Sequence, residues 1–293
     1  MAGVAKKTKH LLDTLSRRGP HGVDTGDLGF TGIPGTVHVP RDAPSPAPTI
    51  ALAHDWTKSP KHYVDTAKHL ASWGFVVVTP KVATRLVPDQ QKFADQLSAA
   101  IENTFYATLG RGTVRADTRR LGLVGHGMGG GVAVLLASQR TDVDAVVTVF
   151  PKETVPAASD RAVLCSCPAM ILSASGGALA RDAMDIHRAW LGPVVHRRLE
   201  NGIETGFVER KPLLSGIGLA DPDARTLRTV RPLLAGYLLA TVAGDDTYSA
   251  FADPDEKIKD SVVVTDEMLQ KDEDDVLAGA PPLLRLVKTV TGG

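Results

Sequence analysis

Between Leu121 and Gly131 the chain reads Leu-Gly-Leu-Val-Gly-His-Gly-Met-Gly-Gly-Gly, and this run restricts the fold more than any other. An apolar strand passes into Gly125-x-Gly127-x-Gly129 and then directly into a helix predicted over Met128–Gln139. A strand that becomes a helix with no loop between must turn sharply. Its central residue takes a strained backbone conformation, and neighbouring chains come too close for a Cβ. The same junction holds its centre over a helix N-terminus, where free amides favour negative charge.

The surrounding pattern supplies the sheet that such a junction needs. Strands are predicted at Gly35–Pro40, Thr49–Ala53, Gly74–Thr79, Leu121–Val124, Val143–Phe150, Ala169–Ser173 and Val195–Leu199. Helices alternate with them, at Tyr63–Trp73, Asp89–Leu109, Ala183–Trp190 and Arg225–Ala243. Several strands are short continuous apolar runs, as expected where both faces are covered. This order predicts an α/β protein with a mostly parallel central sheet and helices on both faces. The predicted organisation is a basic N-terminal segment over 1–18, one domain over 19–254, and an acidic linker and C-terminal tail over 255–293. The tail ends in the apolar stretch Pro281–Val290, suited to packing on the domain or on a partner.

Lys+Arg and Asp+Glu balance at 33 each, which argues against a nucleic-acid binder. Cys165 and Cys167 are the two cysteines, too few for a disulfide framework. They are read as small buried residues, in a reducing compartment. No secretory h-region follows Met1 and no run of about 20 apolar residues occurs, so a cytoplasmic protein without a membrane span is expected. No cofactor or metal is implied.

Gly-x-Gly-x-Gly also fits a dinucleotide phosphate loop. That loop belongs on the first strand of its fold and wants an acidic residue ending the next strand. Here it follows several strands, and Val143–Phe150 ends without one. The better template is the nucleophile elbow Gly-x-Ser-x-Gly.

At this point the chain resembles the bacterial cutinases and polyester (PET) hydrolases, within the dienelactone-hydrolase-like α/β-hydrolases, over roughly residues 15–254. The resemblance rests on Arg18-Gly-Pro20, Ala71-Ser-Trp-Gly-Phe-Val-Val-Val78, Gly125-His-Gly-Met-Gly-Gly-Gly131 with Leu136-Ala-Ser-Gln-Arg140, and Gly244-Asp-Asp-Thr-Tyr-Ser-Ala-Phe251. It implies an α/β-hydrolase fold. It also implies that the family's nucleophile falls on Gly127, its acid on Gly177 and its histidine on Glu204, so that all three triad positions are substituted. The oxyanion-loop aromatic falls on Trp56, while Lys81 and Lys152 replace an acidic residue and a tryptophan.

The candidate ligand-binding residues are therefore Trp56, His54, Lys81, His126, Met128 and Lys152. Asp55, Lys81, Lys152 and Glu204 are expected to cluster at the C-terminal sheet edge, where such folds bind ligands. His126 and His54 are read as structural, and Asp182 as an exposed residue opening its helix. The reading that follows is a pseudohydrolase used for binding, scaffolding or regulation, with a small anionic or acyl ligand or a protein partner. One alternative is a hydrolase of ester or related acyl substrates in which Glu204 or His54 activates water. Another is a protein-interaction module acting through its terminal segments.

Overall fold

The computed structural model describes residues 2–82, 88–174, 179–209 and 222–271. In chain order the elements are α1 (Ala2–Leu15), β1 (Val23–Asp27), β2 (Gly35–Pro40), β3 (Ala47–Ala53), α2 (Val64–Ser72), β4 (Val76–Pro80), α3 (Gln90–Tyr106), β5 (Thr108–Leu109), β6 (Val114–His126), α4 (Met128–Ala137), β7 (Ala145–Val149), α5 (Ala158–Ala162), β8 (Ala169–Ala174), α6 (Leu179–Ala189), β9 (Val194–Leu199), α7 (Ala224–Thr241) and β10 (Ser261–Val263). The main sheet runs β1-β2-β4-β3-β6-β7-β8-β9-β10, with β5 paired to β6 off this path. From β4 to β9 neighbours are parallel. The β1–β2, β2–β4 and β9–β10 pairs are antiparallel. This is the α/β-hydrolase fold.

Alternating side chains of the central strands enter two separate cores. Ala51, Val78, Leu123, Val146 and Ile171 pack on one face with α3, α4 and α6. Ile50, Val77, Val124, Val147 and Met170 pack on the other with α2 and α7. A strand buried on both faces needs apolar residues at every position, which explains the continuous runs in the sequence.

The basic N-terminal segment holds α1, which packs on the domain: Leu11 and Leu15 are buried in the second core and Thr8 bonds Glu256 at 2.6 Å. Two segments differ from expectation. Strand β6 starts well before Leu121; its first half carries Asp117, Arg119 and Arg120, which mask the apolar pattern. The region read as an acidic linker adds β10 to the sheet, Ser261 opposite Leu199. Val264 and Leu269 are then buried against Met184. Residues 272–293 lie outside the described chain.

The entry to α2 is fixed from a distance. The Glu209 carboxylate accepts the amides of Asp65 (2.6 Å) and Thr66 (2.5 Å) and pairs with Arg231 at 2.9 Å. This holds the loop after β3 against α7. The cysteines are placed as expected for Cys165, which is core, while Cys167 is half-buried.

Candidate functional site at the elbow

The turn between β6 and α4 has the geometry that its glycines require. Gly127 has φ 57 and ψ −124, a region that side chains rarely enter. Its amide bonds Val149 O at 3.0 Å, and its carbonyl accepts Gly130 N at 2.9 Å and Lys152 N at 3.0 Å. A Cβ on Gly125 would fall 2.0 Å from Gly129 O, and one on Gly129 would fall 2.3 Å from Ala53 O.

The space above Gly127 is not empty. A Cβ there would lie 2.2 Å from Asp55 Oδ1 and 3.0 Å from Oδ2. The Asp55 carboxylate comes over from the loop after β3 and stands where a side chain of residue 127 would point. Oδ1 accepts the Met128 amide, the first of α4, at 2.8 Å. Lys152, just past β7, approaches Oδ2 at 3.1 Å and Oδ1 at 3.4 Å. Burial opposes ionisation of this carboxyl, but His126, Lys152 and the Met128 amide outweigh it and hold Asp55 below the usual carboxylate pKa. Burial in turn lowers the pKa of His126, against the pull of Asp55.

The loop that presents Asp55 is fastened at each backbone atom. Tyr63 Oη accepts the Asp55 amide at 3.1 Å, and Asp55 O accepts from Lys58 N at 3.0 Å. His54 Nδ1 bonds the same carbonyl at 3.0 Å, while its Nε2 accepts Val82 N at 3.3 Å. With both ring nitrogens engaged by backbone and burial lowering its pKa, His54 is a fixed strut. Two residues past Asp55, Thr57 has φ 63, a strained value for a β-branched residue that only such anchoring sustains. Trp56, between them, is exposed.

His126 faces the other way from the elbow's open side. Its Nε2–H donates to the Glu204 carbonyl at 3.1 Å, which leaves Nδ1 to accept from Tyr63 Oη at 2.8 Å. The ring packs on Phe150 and Phe207. Glu204 thus meets the site through its backbone. Burial and the field of Asp182 raise its carboxyl pKa, against the pull of Lys152. Asp182 is half-buried and accepts the Glu153 amide at 3.0 Å.

Of the four charges expected to cluster, Asp55 and Lys152 pair directly, and Glu204 lies within the field of Lys152. Lys81 sits exposed past β4, with its amide on Pro34 O, and joins no ion pair among the described residues. Gly177 lies outside the described residues. Asp55 as occupant of the elbow, and Tyr63 as the hub that positions it, were not foreseen. The available signal was the acidic residue beside His54, next to a loop that must pass over a bare glycine. Among the described residues no cluster of three or more His, Cys, Asp or Glu is placed for a metal ion, and no helix is long and apolar enough to cross a membrane.

The PET hydrolase-like family profile matches residues 7–188. The chain belongs to this family. It is 35% identical to cutinase 1 of Thermobifida cellulosilytica over 124 residues, 42% of this chain and 45% of that protein. Cutinase 2 of the same organism is 34% identical over 160 residues, 52% of this chain and 59% of that one. Lipase 1 of Moraxella sp. (strain TA144) is 32% identical over 156 residues, 50% of this chain and 47% of that protein. The chain therefore matches about half the length of these cutinase-like hydrolases. The residues matched by the family profile, 7–188, contain β3, the elbow and Lys152.

Proposed function

We propose that this member of the PET hydrolase-like family does not hydrolyse esters through a serine triad, and that its elbow serves binding. One observation carries the reading: the Asp55 carboxylate fills the place of a side chain at position 127. Glycine offers no nucleophile, and the anion-binding amide of Met128 is already engaged by a carboxylate. Neither His54 nor His126 is free to take a proton from a substrate, because each ring is bonded on both sides. An enzyme stripped of its triad loses about a million-fold in rate. An anionic or acyl ligand at this position has to displace Asp55 from Met128 and Lys152, so binding is an exchange of one anion for another.

The test is hydrolysis of short-chain p-nitrophenyl esters by the natural chain, Gly127→Ser, and Gly127→Ser with Asp55→Ala. All three are expected to stay at the buffer rate. Turnover by the natural chain well above buffer overturns the proposal. Thermal stabilisation by small carboxylates tests the binding role, since a ligand of the folded state raises Tm.

A second reading has one observation in its favour. Burial and Asp182 raise the Glu204 carboxyl pKa above that of an ordinary glutamate, the direction that suits a general base acting on water. It predicts ester turnover that Glu204→Gln removes.

A further inference from the structure

Far from the elbow, at the edge of the sheet where the parallel strands begin, three large apolar side chains face solvent. Val163 and Leu164 end α5 and are 51% and 57% exposed; Leu191 follows α6 and is 69% exposed. They belong to one surface. Gly192 N bonds Cys165 O at 3.0 Å, and a Cβ on Gly192 would lie 2.4 Å from Ser166 O, so the residues after Leu164 and Leu191 touch. Single exposed apolar residues are ordinary; a contiguous group marks a contact.

The described chain ends beside this group. β10 runs antiparallel to β9, toward the same edge of the sheet. The short helix after it is tied to the last turn of α6, where Arg188 Nη2 donates to Leu269 O at 3.1 Å. Arg188 precedes Leu191 by three residues, about 10 Å of chain at most. Beyond Lys271 the sequence continues to Gly293. Pro281-Pro-Leu-Leu-Arg-Leu-Val-Lys-Thr-Val290 places Leu283, Leu286, Val287 and Val290 at the i, i+3, i+4, i+7 spacing of one helical face, with Pro at its start and Arg285 and Lys288 off that face. This spacing builds an apolar stripe, and a proline is favoured at a helix's first position. From Lys271 to Leu283 the chain can extend about 40 Å, ample for return to a patch beside its point of departure.

We propose that residues 283–290 dock intramolecularly on the Val163–Leu164–Leu191 surface, as an amphipathic helix whose apolar stripe covers those three side chains. The tether favours this occupant over any free partner, because a segment linked by so short a chain is present at an effective concentration in the millimolar range. The proposal does not depend on the chemistry at the elbow.

Hydrogen exchange on the full chain tests it. In the natural protein, amides of 283–290 should exchange at least about tenfold slower than an unstructured chain. Leu164→Asp with Leu191→Asp should abolish that protection while β6 and β7 stay protected. The reciprocal variant, Leu286→Asp with Val287→Asp, leaves the folded domain untouched and should speed exchange at 163–165 and 191–192. Free exchange of 283–290 in the natural chain overturns the proposal. So does protection that survives either pair of substitutions. Protection that vanishes on dilution, with sedimentation showing dimers, would assign the surface to a second copy of the chain and overturn it too.

Discussion

Around Asp55 the polar groups are held in pairs: amide to Tyr63, carbonyl to Lys58 and His54, carboxylate to Met128 and Lys152. At the β1–β2–β4 end of the same sheet, buried polar atoms go without partners among the described residues. His38 Nε2, Thr36 Oγ1 and Thr79 Oγ1 are examples, and Thr36 and Thr79 stand opposite each other in the ladder. His38 keeps one contact, Nδ1 to Thr25 Oγ1 at 3.0 Å. An unmet buried donor or acceptor costs about 1–3 kcal/mol. The groups around Asp55 are thus fully bonded, while unmet atoms gather at the antiparallel end and recur singly in the parallel strands, at Thr49 Oγ1 and Thr148 Oγ1. A region kept so fully bonded, strained Thr57 included, has been shaped to hold one carboxylate in one place.

This contrast can be broken at several points. The largest effect should come from crowding the elbow. Gly127→Ser forces a side chain into a left-handed φ and into the Asp55 carboxylate, and should cost about 4 kcal/mol in denaturant unfolding. In an Asp55→Ala background the same change should cost at least about 1 kcal/mol less, because the two side chains compete for one space. Additive costs would mean that they do not.

The poorly satisfied end should show itself in acid. Burial pushes the His38 pKa down to about 4. The folded state therefore refuses a proton that the unfolded chain accepts from about pH 6.5 downward. Stability should fall as pH drops from about 6.5 to 4, with up to about 3 kcal/mol lost to this one group. His38→Asn should flatten that arm of the stability–pH curve; an unchanged slope would place the acid sensitivity elsewhere. Tyr63→Phe comes next. It strips the Asp55 amide and His126 Nδ1 of their shared partner and should cost about 2 kcal/mol, measured in urea. Lys152→Met should do least, about 1 kcal/mol or less, since the lysine is partly in water. Its signature is a rise in the Asp55 pKa, read by NMR titration.

Much of the fold was legible because its signals are local. Continuous apolar runs such as Val76–Val78 and the glycines at 125–129 can mean little besides buried strands and a tight elbow. The missed elements are those that tertiary contact creates. Ser261–Val263 is too short to declare itself and becomes a strand only because β9 offers an open edge. The first half of β6 carries charges that are tolerated because Asp117 pairs with Arg120. The site was legible only in part for the same reason. His54 and His126 could be located, but nothing in their neighbours says that both rings are fully bonded. Asp55 was visible as a charge near the elbow. That its carboxylate stands over Gly127 is a fact of the loop's path, which depends on Tyr63 and, through α2, on Glu209.

The pair of cysteines has a practical side. Burial raises the Cys165 thiol to about 12 and the Cys167 thiol to about 11, and only the thiolate reacts with alkylating reagents. At neutral pH the natural chain should behave toward a maleimide dye as though it held almost no thiol. A single cysteine introduced on the surface, at the exposed Tyr106, could then be labelled alone, so that the protein is ready for distance measurements by fluorescence without first removing its own sulfur.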